Sequence, residues 1–245
     1  IDVKTAYSDH YTHTLPCGMR IVCAAGPTEV VYCGLAVDAG TRDELDTESG
    51  MAHFTEHLSF KGTRRRKAWH IINRMESVGG DLNAFTGKEE TVYYCTCLKQ
   101  HLSRAIDILA DIVLNSTYPQ HEMDKEVEVV ASEIESYNDS PGELIYDEFE
   151  NLIFNGHPLG RSILGNAERL REYTTEDIVQ YVRRQYVPAN MVLFVYGQDD
   201  PKQVVRLAEK ALRNLPTDNA VPVLPLERTA LPEYQAQTKT KQMDT

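Results

Sequence analysis

No apolar run in this chain approaches the roughly 18 residues that would read as a membrane-spanning helix. The opening Ile1-Asp2-Val3-Lys4 lacks the charged and apolar pattern of a signal peptide. A soluble protein of the cytoplasm or periplasm is therefore expected. An initiator Met is also missing, which leaves room for residues removed before Ile1. Basic residues are too few for a nucleic-acid partner: 25 Lys and Arg stand against 37 Asp and Glu, a formal net charge of −12, whereas a nucleic-acid surface is basic. An acidic chain suits basic or extended peptides, although a solvated surface alone accounts for the charge. The five cysteines are odd in number and include no CxxC pair, so neither a disulfide framework nor a redox motif is expected. Cys95 and Cys97 alternate within a strand-like run and read as small buried residues. Low-complexity runs and internal repeats are absent as well.

What is present is ordinary globular patterning in 245 residues, enough to bury a sizeable core in one large domain or two small ones. The turn Pro16-Cys17-Gly18 separates two extended stretches, and Val30 to Val37 is a further strand. A polar loop over Gly40 to Glu48 precedes a helix from Gly50 to about Phe60, with Ser49 as its N-cap. After the basic loop Lys61 to Arg66, Trp69, Ile72, Met75 and Glu76 recur at helical spacing. Asp81 to Thr86 and Thr91 to Leu98 form a hairpin across Gly87-Lys88-Glu89-Glu90. Leu102, Ile106, Leu109 and Val113 mark one helical face, and the next helix runs from Pro119 to about Ser136. Helices follow over about Glu143 to Phe154 and from a Thr174/Asp177 capping box to about Gln185. A strand over Met191 to Tyr196 and a helix from Pro201 to about Leu215-Pro216 complete the pattern. Hairpins and helix runs without βαβ alternation predict an α+β domain, with helices on one face of a mostly antiparallel sheet. Pro222, Pro225 and Pro232 mark a change of character. Residues 1–216 are read as the domain and 217–245 as a linker leading out of it.

The chemistry concentrates in His53-Phe54-Thr55-Glu56-His57. Two histidines four apart on a helix project from one face, so both can bind one cation. Zinc accepts imidazole and carboxylate, and its catalytic sites use three protein ligands with one position left for water. Glu56 lies close to the same face, where a carboxylate can take a proton from a water at the metal. The flanking Met51, Ala52, Phe54 and Leu58 are apolar, and ionisable groups on a packed helix need partners or a metal.

A third ligand must come from elsewhere in the chain. The helix carrying Glu126 and Glu133 is the best source, because a spacing of seven places both on one face beside Val127, Val130 and Ile134. Glu122, Glu128 and Glu135 make that helix acidic all round, so periodicity alone also allows a solvated face.

Taken together, these motifs resemble the pitrilysin/insulinase zinc peptidases, M16, and within them the branch of the mitochondrial processing peptidase β-subunit. Met51 to Thr63 resembles the inverted zinc motif with its trailing Phe60-Lys61-Gly62-Thr63. The family's third ligand stands 76 residues after the second histidine, and 57 + 76 reaches Glu133. A further family Glu, seven residues earlier, corresponds to Glu126 and implies support of the zinc site and proton handling. Gly79-Gly80-Asp81-Leu82-Asn83-Ala84-Phe85-Thr86 resembles the family's substrate-binding hairpin. It implies β-augmentation of an extended peptide along Asn83, Ala84 and Phe85. Pro158 to Gly165 is similar to a structural loop of the family. The resemblance implies the metallohydrolase fold of processing peptidases, a Zn²⁺ cofactor, and a metalloendopeptidase in which Glu56 is the general base. It also implies that these residues are the first of two related halves closing a chamber, with the family's Arg/Tyr pair in the second.

Two other readings share parts of this pattern. A lyase-like metal site, as in S-ribosylhomocysteine lyases, would recruit a cysteine such as Cys95 or Cys97. A non-catalytic peptide-binding or scaffold subunit would keep the fold without turnover.

Overall fold

The computed structural model describes residues 10–154, 156–213 and 228–231. The strands are β1 (His10–Thr14), β2 (Arg20–Ala25), β3 (Val30–Val37), β4 (Asp81–Thr86), β5 (Thr91–Leu98) and β6 (Met191–Gly197). They form one sheet in the order β1-β2-β6-β3-β5-β4. Every pairing is antiparallel except β2 with β6, as the hairpin pattern predicted. The β1–β2 turn closes through Leu15 N–H to the Met19 carbonyl at 2.9 Å. Gly18 there has φ +89°, a backbone state that favours glycine.

Side-chain alternation decides which face is covered. Val31, Cys33, Leu35 and Val37 of β3 and Tyr93, Cys95 and Cys97 of β5 are buried. On the opposite face Tyr32, Phe85 and Tyr196 remain 42–49% exposed. The helices therefore lie on one face, as expected. All five cysteines are buried and free.

The helices are α1 (Met51–Ser59), α2 (Ala68–Glu76), α3 (Leu102–Leu114), α4 (Gln120–Asn138), α5 (Pro141–Ile153), α6 (Ala167–Leu170), α7 (Thr175–Gln185) and α8 (Pro201–Leu212). The core helix α3 packs on β3 and β5 and carries α8 beside it. Its residues Leu102, Ile106, Leu109 and Val113 are all buried. The Thr174/Asp177 capping box is formed at the start of α7. The short α6 is capped by Asn166, whose side chain accepts from Glu168 and Arg169 N–H. It lacks the length for a periodic signal. α5 begins at Pro141, two residues earlier than expected, because proline's fixed φ suits the first helical turn. The expected extension of α8 to Leu215–Pro216 lies outside the described residues. So does the expected linker, apart from 228–231.

Two local expectations are corrected, and a third region is more buried than its composition suggests. In α2 the buried residues are Ile71 and Met75, while Trp69 and Ile72 are 58% and 47% exposed. Contact with α3 and β4 selects the i, i+4 pair that faces them. The loop over Gly40 to Glu48 is polar as expected and half embedded: Thr41, Asp43, Glu44 and Glu48 are buried, and Leu45, Asp46 and Thr47 are exposed. Ser49 does not cap α1. Gly50 occupies the N-cap position in a left-handed conformation, and the cap is supplied by Glu44, which accepts from Gly50 N–H at 3.2 Å and Ala52 N–H at 2.9 Å.

Burial pushes the Glu44 carboxyl up to about 8, against the pull of those two N–H groups and of Arg161, while Glu48 adds to the rise. The unfolded chain releases this proton near the ordinary glutamate value, and the fold holds it until about pH 8. Stability contributed by Glu44 is therefore fully present in acid and is lost as pH rises through that window, at about 1.4 kcal/mol for each pH unit crossed. Chemical denaturation from pH 5 to 9 should show the decline, and Glu44→Gln should flatten it. An equal decline in Glu44→Gln would assign it to another group.

Candidate metal centre

α1 is buried along almost its whole length, with His57 the half-open residue. It lies against α4, α7, β4 and β5. That packing brings α4 across the two histidines. His53 and His57 stack edge to face with ring centroids 4.6 Å apart. The Glu133 carboxylate stands over both: Oε1 is 3.8 Å from His53 Nε2, and Oε2 is 3.5 Å from His57 Nε2. One ligand atom from each of the three residues falls within 4.8 Å of the others, the one such cluster among the described residues. A tetrahedral zinc with bonds of about 2.0–2.2 Å sets its ligand atoms roughly 3.3–3.6 Å apart, so the two carboxylate–imidazole separations of 3.8 and 3.5 Å are already close to that spacing.

The protonation chemistry also fits a cation. Burial, reinforced by His57, lowers His53 to about 3, so its imidazole is neutral with a lone pair to give. Its Nδ1 is buried with no hydrogen-bond partner among the described residues. The His57 Nδ1 pairs with Glu126 Oε1 at 2.9 Å, which leaves Nε2 directed at Glu133. Burial alone would lower His57. The carboxylates of Glu126, Glu56 and Glu133 together hold it above its ordinary value. Three acidic groups crowd two imidazoles, and a divalent ion would neutralise that excess where a proton otherwise does.

Glu126 stands behind His57 rather than in the cleft. Burial would raise it, but His57 and Lys61 bring it below the usual carboxylate range. Lys61 Nζ lies 2.5 Å from Glu126 Oε2. This Lys61–Glu126–His57 chain orients the second imidazole and selects its tautomer. Lys61 belongs to the run that trails the zinc motif, but its pairing with Glu126 carried no signal, because nothing local ties it to a residue 65 positions later.

In front of the cluster lies a cleft of about 440 Å³ lined by His53, Glu56, His57, Glu133, Tyr137 and the β4 residues 83–86. Burial raises the Glu56 carboxyl, opposed by a hydrogen bond from Thr86 and by His57. Thr86 Oγ1 donates to Glu56 Oε2 at 2.8 Å. Strand parity identifies Thr86: Leu82, Ala84 and Thr86 share the helix-facing side, and Asn83 and Phe85 the other. The motif residues Asn83, Ala84 and Phe85 do line the cleft, and β4 is an edge strand of the sheet.

The loop after α5 adds Ile163 and Leu164 to the lining of the cleft. A Cβ on Gly165 would lie 2.4 Å from Gly50 Cα, so this loop meets the start of α1 backbone to backbone. Cys95 and Cys97 point into the core from β5 and belong to no metal cluster among the described residues. A cysteine-ligated site therefore has no support.

The sequence model for the insulinase family, peptidase family M16, matches residues 20–167. The chain belongs to the M16 family. A second M16 model, the peptidase M16 inactive domain, matches residues 172–244. The sheet does not divide at that point, since β6 lies between β2 and β3. An uncharacterized zinc protease of Rickettsia bellii is 37% identical over 185 residues, covering 76% of this chain and 45% of that protein. A probable mitochondrial-processing peptidase β-subunit of Arabidopsis thaliana is 34% identical, covering 84% and 39%. The chain thus spans about half or less of these M16 relatives. Among solved structures, a protease from Helicobacter pylori superposes with a TM-score of 0.80 at 26% identity, covering 91% of this chain and 53% of its own. The periplasmic protease PqqL from Escherichia coli gives 0.79 at 27%, covering 85% and 24%. Among the described residues of this M16 chain, no helix is long and apolar enough to cross a membrane.

Proposed function

We propose that this chain is the zinc-binding half of a metalloendopeptidase that hydrolyses extended peptides. The observation that carries the reading is the convergence of His53, His57 and Glu133 on one point beside Glu56 and the free edge of β4. His53, His57 and Glu133 hold the metal. Zinc bound there would supply Lewis acidity, polarising the scissile carbonyl and acidifying the attacking water.

The remaining work belongs to the protein's own residues. The exposed N–H and C=O groups of β4 pair with an extended peptide and lay its backbone across the cleft, with Asn83, Ala84 and Phe85 along its path. Glu56 accepts the proton of the attacking water and passes it to the leaving amine. Its raised affinity for a proton suits that exchange, and Thr86 fixes its orientation. Glu126, held by Lys61, keeps His57 Nε2 directed at the metal. Residues 1–216 form this domain and 217–245 lead toward a second M16 half that completes the chamber.

The test uses the two-half protein and an extended peptide. Cleavage should stop on chelation and return with zinc. The isolated chain should bind zinc but turn over weakly, since half the chamber wall is missing. A two-half protein that binds zinc and peptide yet never cleaves would instead identify a binding subunit.

A further inference from the structure

A second cavity, about 650 Å³, lies between the end of α2, the start of α3 and the end of α8 and shares no lining residue with the metal cleft. Its charge is opposite to that of the molecule. Arg65, Arg74, Arg104, Lys210 and Arg213 line it, with Asp107 as the one carboxylate, in a chain of net charge −12. Asp107 is already claimed by Arg65 at 3.2 Å and by Arg66 at 2.5 Å, and lies 3.9 Å from Arg74. Arg104 donates to the Arg74 carbonyl at 3.1 Å and to Ser77 Oγ at 3.3 Å, neither of which offsets its charge. Lys210 and Arg213 form no ion pair among the described residues. The Arg74 Nε is shielded from solvent with no hydrogen-bond partner among the described residues. Partial burial and the neighbouring Arg104, Arg66 and Arg65 lower its affinity for its own proton.

We infer that this cavity is an anion site for a small, multiply charged phosphate-bearing ligand. Guanidinium groups match phosphate oxygens through paired N–H donors, and several of them in one concavity suit a polyanion better than a single charge. The volume falls within the range of small-molecule sites. Repulsion from the acidic remainder of the protein is screened beyond about 8 Å at physiological ionic strength, so the local cations dominate inside the cavity.

Inorganic triphosphate is the probe, titrated calorimetrically into the 245-residue chain, with inorganic phosphate and an acidic peptide as parallel arms. Triphosphate should bind saturably, more tightly than phosphate, and more weakly as salt rises. Lys210→Glu with Arg213→Glu places both changes on exposed positions at the end of α8, so the fold is kept. The affinity should fall at least roughly tenfold. Arg104→Gln should weaken it as well, with circular dichroism checking the fold. No saturable triphosphate binding, an unchanged affinity in the α8 double variant, or tighter binding of the acidic peptide would each overturn the assignment.

Discussion

Glu56→Gln in the two-half protein should leave zinc bound and lower peptide turnover by about 10²–10⁴-fold, the range supplied by a positioned acid–base group. The substitution keeps the size of the side chain and its hydrogen-bond partner Thr86, and it touches none of the three ligand atoms. Zinc content and peptide KM should therefore change little while kcat collapses. Steady-state kinetics with metal analysis on the same sample reads both quantities. If turnover persists at the parent rate, the proton acceptor is another group. If zinc is lost along with activity, Glu56 is holding the metal site together rather than moving a proton.

Glu133→Ala should have the largest effect on the metal itself. Glu133 is the carboxylate that stands over both imidazoles, and its side chain is 44% exposed, so truncation leaves no packed cavity. Without metal, the variant should match the parent stability within about 0.5 kcal/mol, as surface substitutions do. With free zinc a thousandfold above its Kd, the parent gains about 4 kcal/mol. For a domain of this size that is a rise in Tm of roughly 8–16 °C. The variant should lose most of that rise. Glu135→Ala, two residues on at an exposed position of the same helix, should keep it. A full zinc-dependent rise in Glu133→Ala would remove Glu133 from the ligand set, and with it the peptidase reading.

Much of the site was legible in local pattern. The spacing of His53 and His57 implied two imidazoles on one helical face, and their rings do stand together. The β4–β5 hairpin was read within its actual bounds, because Gly87 to Glu90 interrupts two strongly alternating runs. Glu133 was different. Periodicity placed it beside Glu126 on one face of an acidic helix and left both a ligand and a solvated face open, and the resemblance to M16 selected it. In the structure the two glutamates diverge in role: Glu126 is buried behind His57, and Glu133 reaches over the cleft.

Other partners left no local trace. Lys61 meets Glu126, Thr86 meets Glu56, and Glu44 caps the zinc-motif helix from the loop before it. Each contact joins residues whose nearness depends on how the elements pack. The exposed Trp69 and Ile72 of α2 show the converse, since a helical repeat names an apolar set but not the side a neighbour will cover.

The sequence by itself determined the strands and the longer helices, the alternation that buries one sheet face, and the pair of imidazoles one turn apart, because these depend on backbone geometry repeating over a few residues. Tertiary structure alone decided that α4 crosses α1, that β6 enters the middle of the sheet beside β2, and that a carboxylate 76 positions from His57 comes within 3.5 Å of it. Those contacts come from closing the sheet and filling one shared core, a condition on the whole chain that no short stretch of it contains.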